Sequence, residues 1–362
     1  MIPSTPQEAT PLRRKKSVDK TSYSSQHPRN LYGGVFLQSI LLSMLVLAVI
    51  FVNGWTDAPN SILTVVSTKT LSFRNAAIFA ALSDFSGLLV TSLLCPSVAH
   101  TIFTIADFGT SSVAARIALQ AALISIIFWS VLSWYFGIPT SESHALISGL
   151  TGASIALHGN LDGIHFDAWA KVFAGLFLST ICGLLVGRYS VHHFHLRKYS
   201  NLQIRRSQLL CSASMSFFHG AQDGQKFLAL LLLVQALSQG NNTHTFYISF
   251  PQVILCATVM SAGVLCGGQR IIKAISKGME GLNRRQQLIA DLSGTACLFI
   301  ATLLGLPVST THTKISSYLG ASTINARSSG RKDFSLRIML VWLATFPCCG
   351  LLSWLLTHLM LP

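Results

Sequence analysis

Two short polar runs interrupt an otherwise apolar chain, and they carry the same residue types at the same relative positions. Residues 137–146 read GIPTSESHAL, and residues 305–313 read GLPVSTTHT. Proline is favoured at the first position of a helix, and Ser or Thr beside it can cap the free amides. Those amides and the helix dipole attract anions, so two such helix starts predict a site for a tetrahedral oxyanion. The hydroxyl donors that would join them are Ser141, Ser143, Ser309, Thr310 and Thr311.

A second pair of motifs places carboxylates inside apolar sequence. The motifs NGWTDAPNS and HGAQDGQK put Asp57 and Asp223 at matching positions. A carboxylate within a membrane marks a functional site by default. Asp223 can pair with Lys226, three positions along the helix, whereas Asp57 has no basic neighbour at helical spacing. A carboxylate beside an anion site requires a cation or a proton to offset repulsion, so we expect Asn60 or a bound hard cation next to Asp57.

The polar runs also contain groups that can carry protons. His144 and His312 end the two runs at the same place, and each could carry a proton or brace its half-helix through hydrogen bonds. Glu142 stands in the first run where the second has Thr310. An acid at this position could carry a proton or alter the anion preference, and the sequence leaves both roles open.

The elements that must position these residues are membrane-spanning helices. Of the 362 residues, 51% are hydrophobic and only 10% are charged, against about 25% charged in an average soluble domain. Most apolar blocks have the roughly 20 residues that a spanning helix requires. They cover about 32–52, 74–95, 112–136, 168–188, 227–237, 250–266, 286–304 and 335–361. The eight cysteines lack metal-ligand spacing, so we expect no metal site among them.

The formal net charge of +14 comes from Lys and Arg that cluster between the apolar blocks. This distribution follows the positive-inside rule and predicts cytoplasmic loops rather than a nucleic-acid surface. The domain prediction is a disordered basic cytoplasmic tail over 1–30, a first transmembrane repeat over 31–190, a basic cytoplasmic linker over 191–206 and a second transmembrane repeat over 207–362. Residues 32–70 can be drawn as one broken span or as two passes. Only two passes put both the tail and the 69–74 turn inside.

The motif spacing indicates a duplicated unit. Asp57 precedes Pro139 by 82 positions, and Asp223 precedes Pro307 by 84. The charge rule makes the two Pro-x-Ser runs enter from opposite membrane faces. We therefore predict an all-α polytopic membrane protein built from two inverted-topology repeats with broken helices, the ground plan of many secondary transporters.

The four motifs resemble the paired signatures of the inorganic phosphate transporter (PiT) family, and the resemblance covers about 31–360. It implies phosphate uptake driven by a sodium or proton gradient, two helical hairpins that meet at the membrane midplane, and a homodimer. It assigns phosphate binding to the five hydroxyl residues named above. It assigns the coupling ion to Asp57, Asn60, Asp223 and Gln225. Glu142, His144, Lys226 and His312 have supporting roles. The commoner first motif has Asn where this chain has Thr56, which leaves the coupling ion open.

The leading interpretation is a cation-coupled phosphate symporter of the plasma membrane that works by alternating access and needs no cofactor. Its expected partners are inorganic phosphate, sodium or protons, the lipid bilayer and a second copy of the chain, but not nucleic acid. The alternatives are a permease for another tetrahedral oxyanion such as sulfate, a passive channel, and an intramembrane serine hydrolase. The hydrolase would use Ser141 or Ser143 with His144 and an aspartate, Asp57 or Asp84.

Overall fold

The structure, a computed structural model, is all-helical where it is described. It describes residues 28–57, 59–105, 107–108, 112–194, 199–239, 246–278, 282–322 and 329–361. The first seven helices are α1 Pro28–Thr56, α2 Pro59–Ser67, α3 Phe73–Leu94, α4 Ser97–Phe103, α5 Ser112–Tyr135, α6 Glu142–His158 and α7 Phe166–His193. The next seven are α8 Asn201–His219, α9 Gln225–Gln239, α10 Phe250–Cys266, α11 Gln269–Gly278, α12 Arg284–Leu303, α13 Thr310–Ser322 and α14 Ser329–Met360. A π-helical turn, Gly220–Gly224, joins α8 to α9.

Six described stretches are long and apolar enough to cross a membrane. They are Phe36–Ser67, Phe73–Leu94, Val113–Tyr135, Phe166–His193, Arg284–Leu303 and Asp333–Met360, and α10 with α11, bent by 61°, makes a seventh if the pair is one span. The predicted block 227–237 is not a span by itself, because α9 has only 15 residues. It continues the helical run of α8 through the π turn, which keeps the chain helical across the polar motif.

The chain passes from residue 36 to residue 67 in one broken span, and the break lies at Asp57. The turn after α2 lies at the end of the molecule where basic residues gather: Arg284 Nη2 donates to Thr68 O (2.6 Å) and Arg205 Nη2 donates to Thr70 O (3.3 Å). A single pass separates its two ends, so the chain enters α1 at the opposite end. Of the two ways to draw residues 32–70, the single broken span agrees with this arrangement, and the side of the tail stays a prediction. Most of the 1–30 tail lies outside the described residues.

The two halves of the chain repeat one order of elements. Each has a long helical run interrupted at the Asp motif, by a break in the first half and by a π turn in the second. An apolar helix, a short helix, an apolar helix, a shorter helix that starts at the Pro-x-Ser run and a long helix follow in each half. The first half ends with α7 at His193, and the second begins with α8 at Asn201, where Ser200 and Gln203 form a capping box. The predicted 191–206 linker is therefore largely helical. Residues 195–198 within it lie outside the described residues.

The halves interlock, because the helix that leads into each Asp motif packs against the other half. α1 crosses α10 and α8 crosses α3, while α7 lies along α13 and α14 lies along α6. Glycines permit the closest crossings. A Cβ atom at Gly54 would overlap the carbonyl oxygen of Met260, and one at Gly220 would overlap that of Asp84. Both Asp motifs are thus held against a helix of the other half.

The apolar helices that precede the polar runs point in opposite directions. α5 starts near the start of α1, where Arg116 Nε donates to Gln38 Oε1 (2.9 Å). It ends at the basic end, where Arg270 Nη1 donates to Tyr135 O (2.8 Å). α12 instead starts at the basic end, through Arg284. The two polar runs are therefore entered from opposite ends of the molecule. This supports the predicted inversion of the repeats, which remains a prediction.

Candidate functional site

Both polar runs form a turn followed by a capped helix start. Gly137 (φ 67°) and Gly305 (φ 64°) follow the ends of α5 and α12 in the left-handed conformation that glycine tolerates best. The Ser141 hydroxyl then accepts the amide of His144 (3.3 Å), and the Ser309 hydroxyl accepts the amide of His312 (3.2 Å). Both serines thus act as N-caps, as the sequence predicts.

The starts of α6 and α13 meet inside the molecule. The rings of His144 and His312, each in the first turn of its helix, lie 4.2 Å apart between centroids. His312 stacks on Trp342 at 3.6 Å, and His144 contacts the edge of Phe346 at 4.5 Å. Both imidazoles are buried. This packing supports the bracing role for the two histidines, because the rings are held by aromatic side chains of α14.

Asp57 lies in the break between α1 and α2 and contacts the start of α13. Its Oδ1 accepts a hydrogen bond from Asn60 Nδ2 (3.1 Å) and another from the hydroxyl of Thr311. Asn60 Nδ2 also donates to Thr311 Oγ1 (2.8 Å). The carboxylate of the first half is therefore tied to a hydroxyl of the second half.

Asp223 lies in the π turn and contacts the starts of both half-helices. Its Oδ1 accepts from Lys226 Nζ (2.5 Å) and from Ser143 Oγ (3.4 Å), and its Oδ2 accepts from Thr310 Oγ1 (2.8 Å). Lys226 Nζ also donates to Ser143 Oγ (2.7 Å) and to the carbonyl oxygen of Val308. The predicted Asp223–Lys226 pair is present, and the first half supplies one of its partners.

These contacts cross between the halves in matched pairs. Asp57 of the first half meets Thr311 of the second, and Asp223 of the second half meets Ser143 of the first. Ser143 and Thr311 hold the same position in their runs. Which half supplies each partner could not be read from the sequence, because spacing alone does not fix how the repeats pack.

Glu142 lies in the same buried region but has fewer partners. The Thr56 hydroxyl donates to Glu142 Oε1, and Asn53 lies beside the carboxylate. The amide oxygens Asn53 Oδ1 and Asn60 Oδ1 accept no hydrogen bond from any described residue. Buried oxygens without donors are uncommon and mark a place where a further group can bind.

Three residues of the site were not among those that the resemblance assigns to phosphate or to the coupling ion. His219 Nδ1 lies 2.6 Å from Asp84 Oδ1, and its Nε2 lies 3.4 Å from Asp223 Oδ2. Gln222 holds the turn before α13: its Nε2 donates to Leu306 O (3.3 Å), and its Oε1 accepts the amide of Val308 (3.3 Å). His219 and Gln222 lie inside a motif that the sequence had singled out. The signal for Asp84 was its position within an apolar block.

Gln225 does not join the site in the structure. Its Oε1 accepts the amide of Ala99 (3.2 Å), and its Nε2 donates to the carbonyl oxygen of Cys95 (3.1 Å). Both amide atoms therefore hold the turn between α3 and α4. In this conformation the Gln225 side chain is turned toward that backbone, and its binding of the coupling ion stays a prediction.

The assembled groups can bind ions of both signs. Two capped helix starts offer amides and a positive dipole end to an anion. Carboxylate and amide oxygens around Asp57 offer ligands to a hard cation. Asp57, His219 and Asp223 each have a ligand atom within 4.8 Å of the others. An anion and a cation held this close would stabilise each other, which is the chemistry of coupled binding.

Comparisons with known proteins agree with this chemistry. The sequence model of the Phosphate transporter family matches residues 53–203 and 188–353. A Bacillus subtilis protein named "Probable low-affinity inorganic phosphate transporter" is 33% identical over 328 residues, which cover 88% of this chain and 96% of that protein. A Rhizobium meliloti protein of the same name is 34% identical over 311 residues, which cover 84% and 90%.

The fold is also similar to a solved structure. That structure, named "The sodium-dependent phosphate transporter", superposes with a TM-score of 0.79 and covers 89% of this chain and 98% of its own. The two sequences are 20% identical, so the likeness concerns the fold.

Proposed function

The chain belongs to the Phosphate transporter family, and from this premise we propose that it imports inorganic phosphate by symport with a cation through alternating access. It is a multi-pass protein of the cell membrane and a transporter, so the serine hydrolase interpretation is set aside. The observation that carries the proposal is the crossed pairing of Asp57 with Thr311 and of Asp223 with Ser143 at two adjoining helix starts.

Phosphate binds between the starts of α6 and α13 in this proposal. The free amides of the two first turns and the hydroxyls of Ser143, Thr310 and Thr311 supply donors. The Thr310 and Thr311 hydroxyls now donate to carboxylates. Each must turn its proton away from its carboxylate before it can donate to phosphate. Phosphate binding therefore requires that another positive group first satisfy those carboxylates.

The coupling cation binds at Asp57 and supplies that positive group. Asp57, Asn60 and Thr311 present oxygen atoms, which hard cations prefer. A cation there takes over the Asp57 carboxylate and releases the Thr311 hydroxyl to phosphate. Because phosphate binding then depends on the cation at Asp57, the binding of the two ions is coupled. These oxygen ligands suit sodium as they suit other hard cations, and the structural relative is itself named as sodium-dependent. A proton on Glu142 is the alternative coupling ion.

Alternating access follows from the interlocked repeats. The site lies where parts of both halves meet, and a movement of one half against the other can open it to either side. Large apolar side chains remain exposed on α3, α7, α12 and α14, and we propose that lipid covers them. Assembly into a homodimer remains a prediction from the resemblance.

Uptake by the purified protein tests this function. Proteoliposomes are given labelled phosphate with an inward sodium gradient in one set and an inward proton gradient in another. We expect phosphate to accumulate against its own gradient under one of them. Sulfate uptake in the same vesicles tests the runner-up substrate. Accumulation of sulfate without phosphate would contradict the proposal, and equilibration without accumulation would favour a passive channel.

A further inference from the structure

The two Asp motifs match position by position but differ in chemistry. Asp57 corresponds to Asp223, and three places further on Asn60 corresponds to Lys226. Four places before each aspartate, Asn53 corresponds to His219. The first half thus has amides where the second half has a buried ammonium and an imidazole. Both lysine and histidine are buried as deeply as their counterparts.

The first break presents oxygens that no described residue satisfies. Asn53 Oδ1 and Asn60 Oδ1 are buried and accept no hydrogen bond within the described part of the chain. A buried acceptor without a partner destabilises the folded protein. Together with the Asp57 carboxylate, these oxygens form a set that a hard cation would satisfy.

The π turn of the second half has a cation of its own. Lys226 Nζ donates to Asp223 Oδ1 (2.5 Å), to Ser143 Oγ (2.7 Å) and to the carbonyl oxygen of Val308. An ammonium group has three protons, so these contacts use all of them. A carboxylate, a hydroxyl and a backbone carbonyl are also the oxygen ligands that a hard cation takes. The ammonium therefore fills a place with the ligands of a cation site.

We propose that Lys226 is a tethered cation that permanently occupies the second of two equivalent ion positions. The mobile coupling cation then has one position left, at Asp57, and the protein binds one cation fewer than its internal symmetry provides. This inference rests on the proposed function, because it specifies how many cations accompany each phosphate. Lys226 supplies the charge of a bound cation but cannot dissociate, because its ammonium group is covalently attached to the chain.

The alternative is that Lys226 binds phosphate directly. Its ammonium would have to give up at least one of its three acceptors, and Asp223 would then face the anion with less compensation. The structure favours the tethered role because every proton of the ammonium is already used. The two roles predict different effects on cation number, so they can be separated.

The test counts sodium ions bound to detergent-purified full chain with labelled sodium. Lys226→Asn installs the residue of the first half and opens the second position, whereas Lys226→Arg keeps the charge and serves as the matched control. We expect the Asn variant to bind one more sodium per chain than the wild type and the Arg variant to bind the same number. Equal numbers in all three would overturn the proposal.

The coupling ratio gives a second readout in proteoliposomes. It is taken from the sodium gradient at which net phosphate flux stops, and we expect one more sodium per phosphate in Lys226→Asn. A variant that transports with an unchanged ratio but a weakened phosphate affinity would assign Lys226 to phosphate and overturn the tethered role.

If Lys226→Asn does not fold, the mirror variant Asn60→Lys decides. It should bind one sodium fewer than the wild type, and an unchanged number would count against the proposal. If the wild-type protein fails to accumulate phosphate under either the sodium or the proton gradient, the proposed function is refuted instead.

Discussion

Removing the Thr311 hydroxyl should weaken phosphate binding far more than it disturbs the fold. Thr311→Val keeps the shape of the side chain but removes the group that donates to Asp57 and accepts from Asn60 Nδ2 (2.8 Å). In the proposed bound state this hydroxyl donates to phosphate. A hydrogen bond to a charged group contributes about 1.5–3 kcal/mol. Since each 1.4 kcal/mol is about tenfold, the phosphate Kd should rise about 10- to 150-fold.

Thr313→Val is the matched control for this change. Thr313 is buried on the same helix, but its hydroxyl donates to Ser309 O (2.8 Å) within α13. Its loss should lower the free energy of unfolding by about 1 kcal/mol and leave the phosphate Kd nearly unchanged. Both variants are measured by calorimetric titration of phosphate and by thermal unfolding. An equal loss of phosphate affinity in the two variants would refute the assignment of Thr311.

Three further substitutions test other contacts. Asp57→Asn should abolish gradient-driven uptake while the protein remains inserted and monodisperse by gel filtration, and normal uptake would refute its role as the cation site. Gln225→Ala should lower the melting temperature, because it frees the backbone of Ala99, but should leave the sodium dependence of uptake unchanged; an altered dependence would return Gln225 to the site. Gly54→Val should prevent the close crossing at the Met260 carbonyl and yield little folded protein, whereas a well-folded, active variant would contradict this packing.

The sequence was sufficient to find the four motifs, because polar residues are costly among apolar helices and therefore stand out. The capping roles of Ser141 and Ser309 also follow from local chemistry. The matched spacing of the motifs predicted a duplicated unit, and the repeated order of helices agrees with it.

The partners across the site could not be predicted in the same way. Whether Asp57 meets a hydroxyl of its own half or of the other depends on helix packing, which motif spacing does not encode. Gln225 illustrates the same limit, because its position in the motif suggested an ion ligand while its side chain bonds to a neighbouring turn. The 227–237 block proved to be part of a longer helical run, because a π turn, which has no clear sequence signal, keeps the helix continuous through the polar motif.

The most direct test of the proposed coupling is whether a cation at Asp57 prepares the phosphate site. The phosphate Kd of purified protein is measured with sodium, with choline at the same ionic strength, and at lower pH, in the wild type and in Asp57→Asn. We predict that sodium, or acidification if the coupling ion is a proton, lowers the phosphate Kd of the wild type. Phosphate should increase the affinity for that cation by the same factor, because such coupling is reciprocal. A cation effect that persists in Asp57→Asn, or none in the wild type, would contradict the coupling at Asp57.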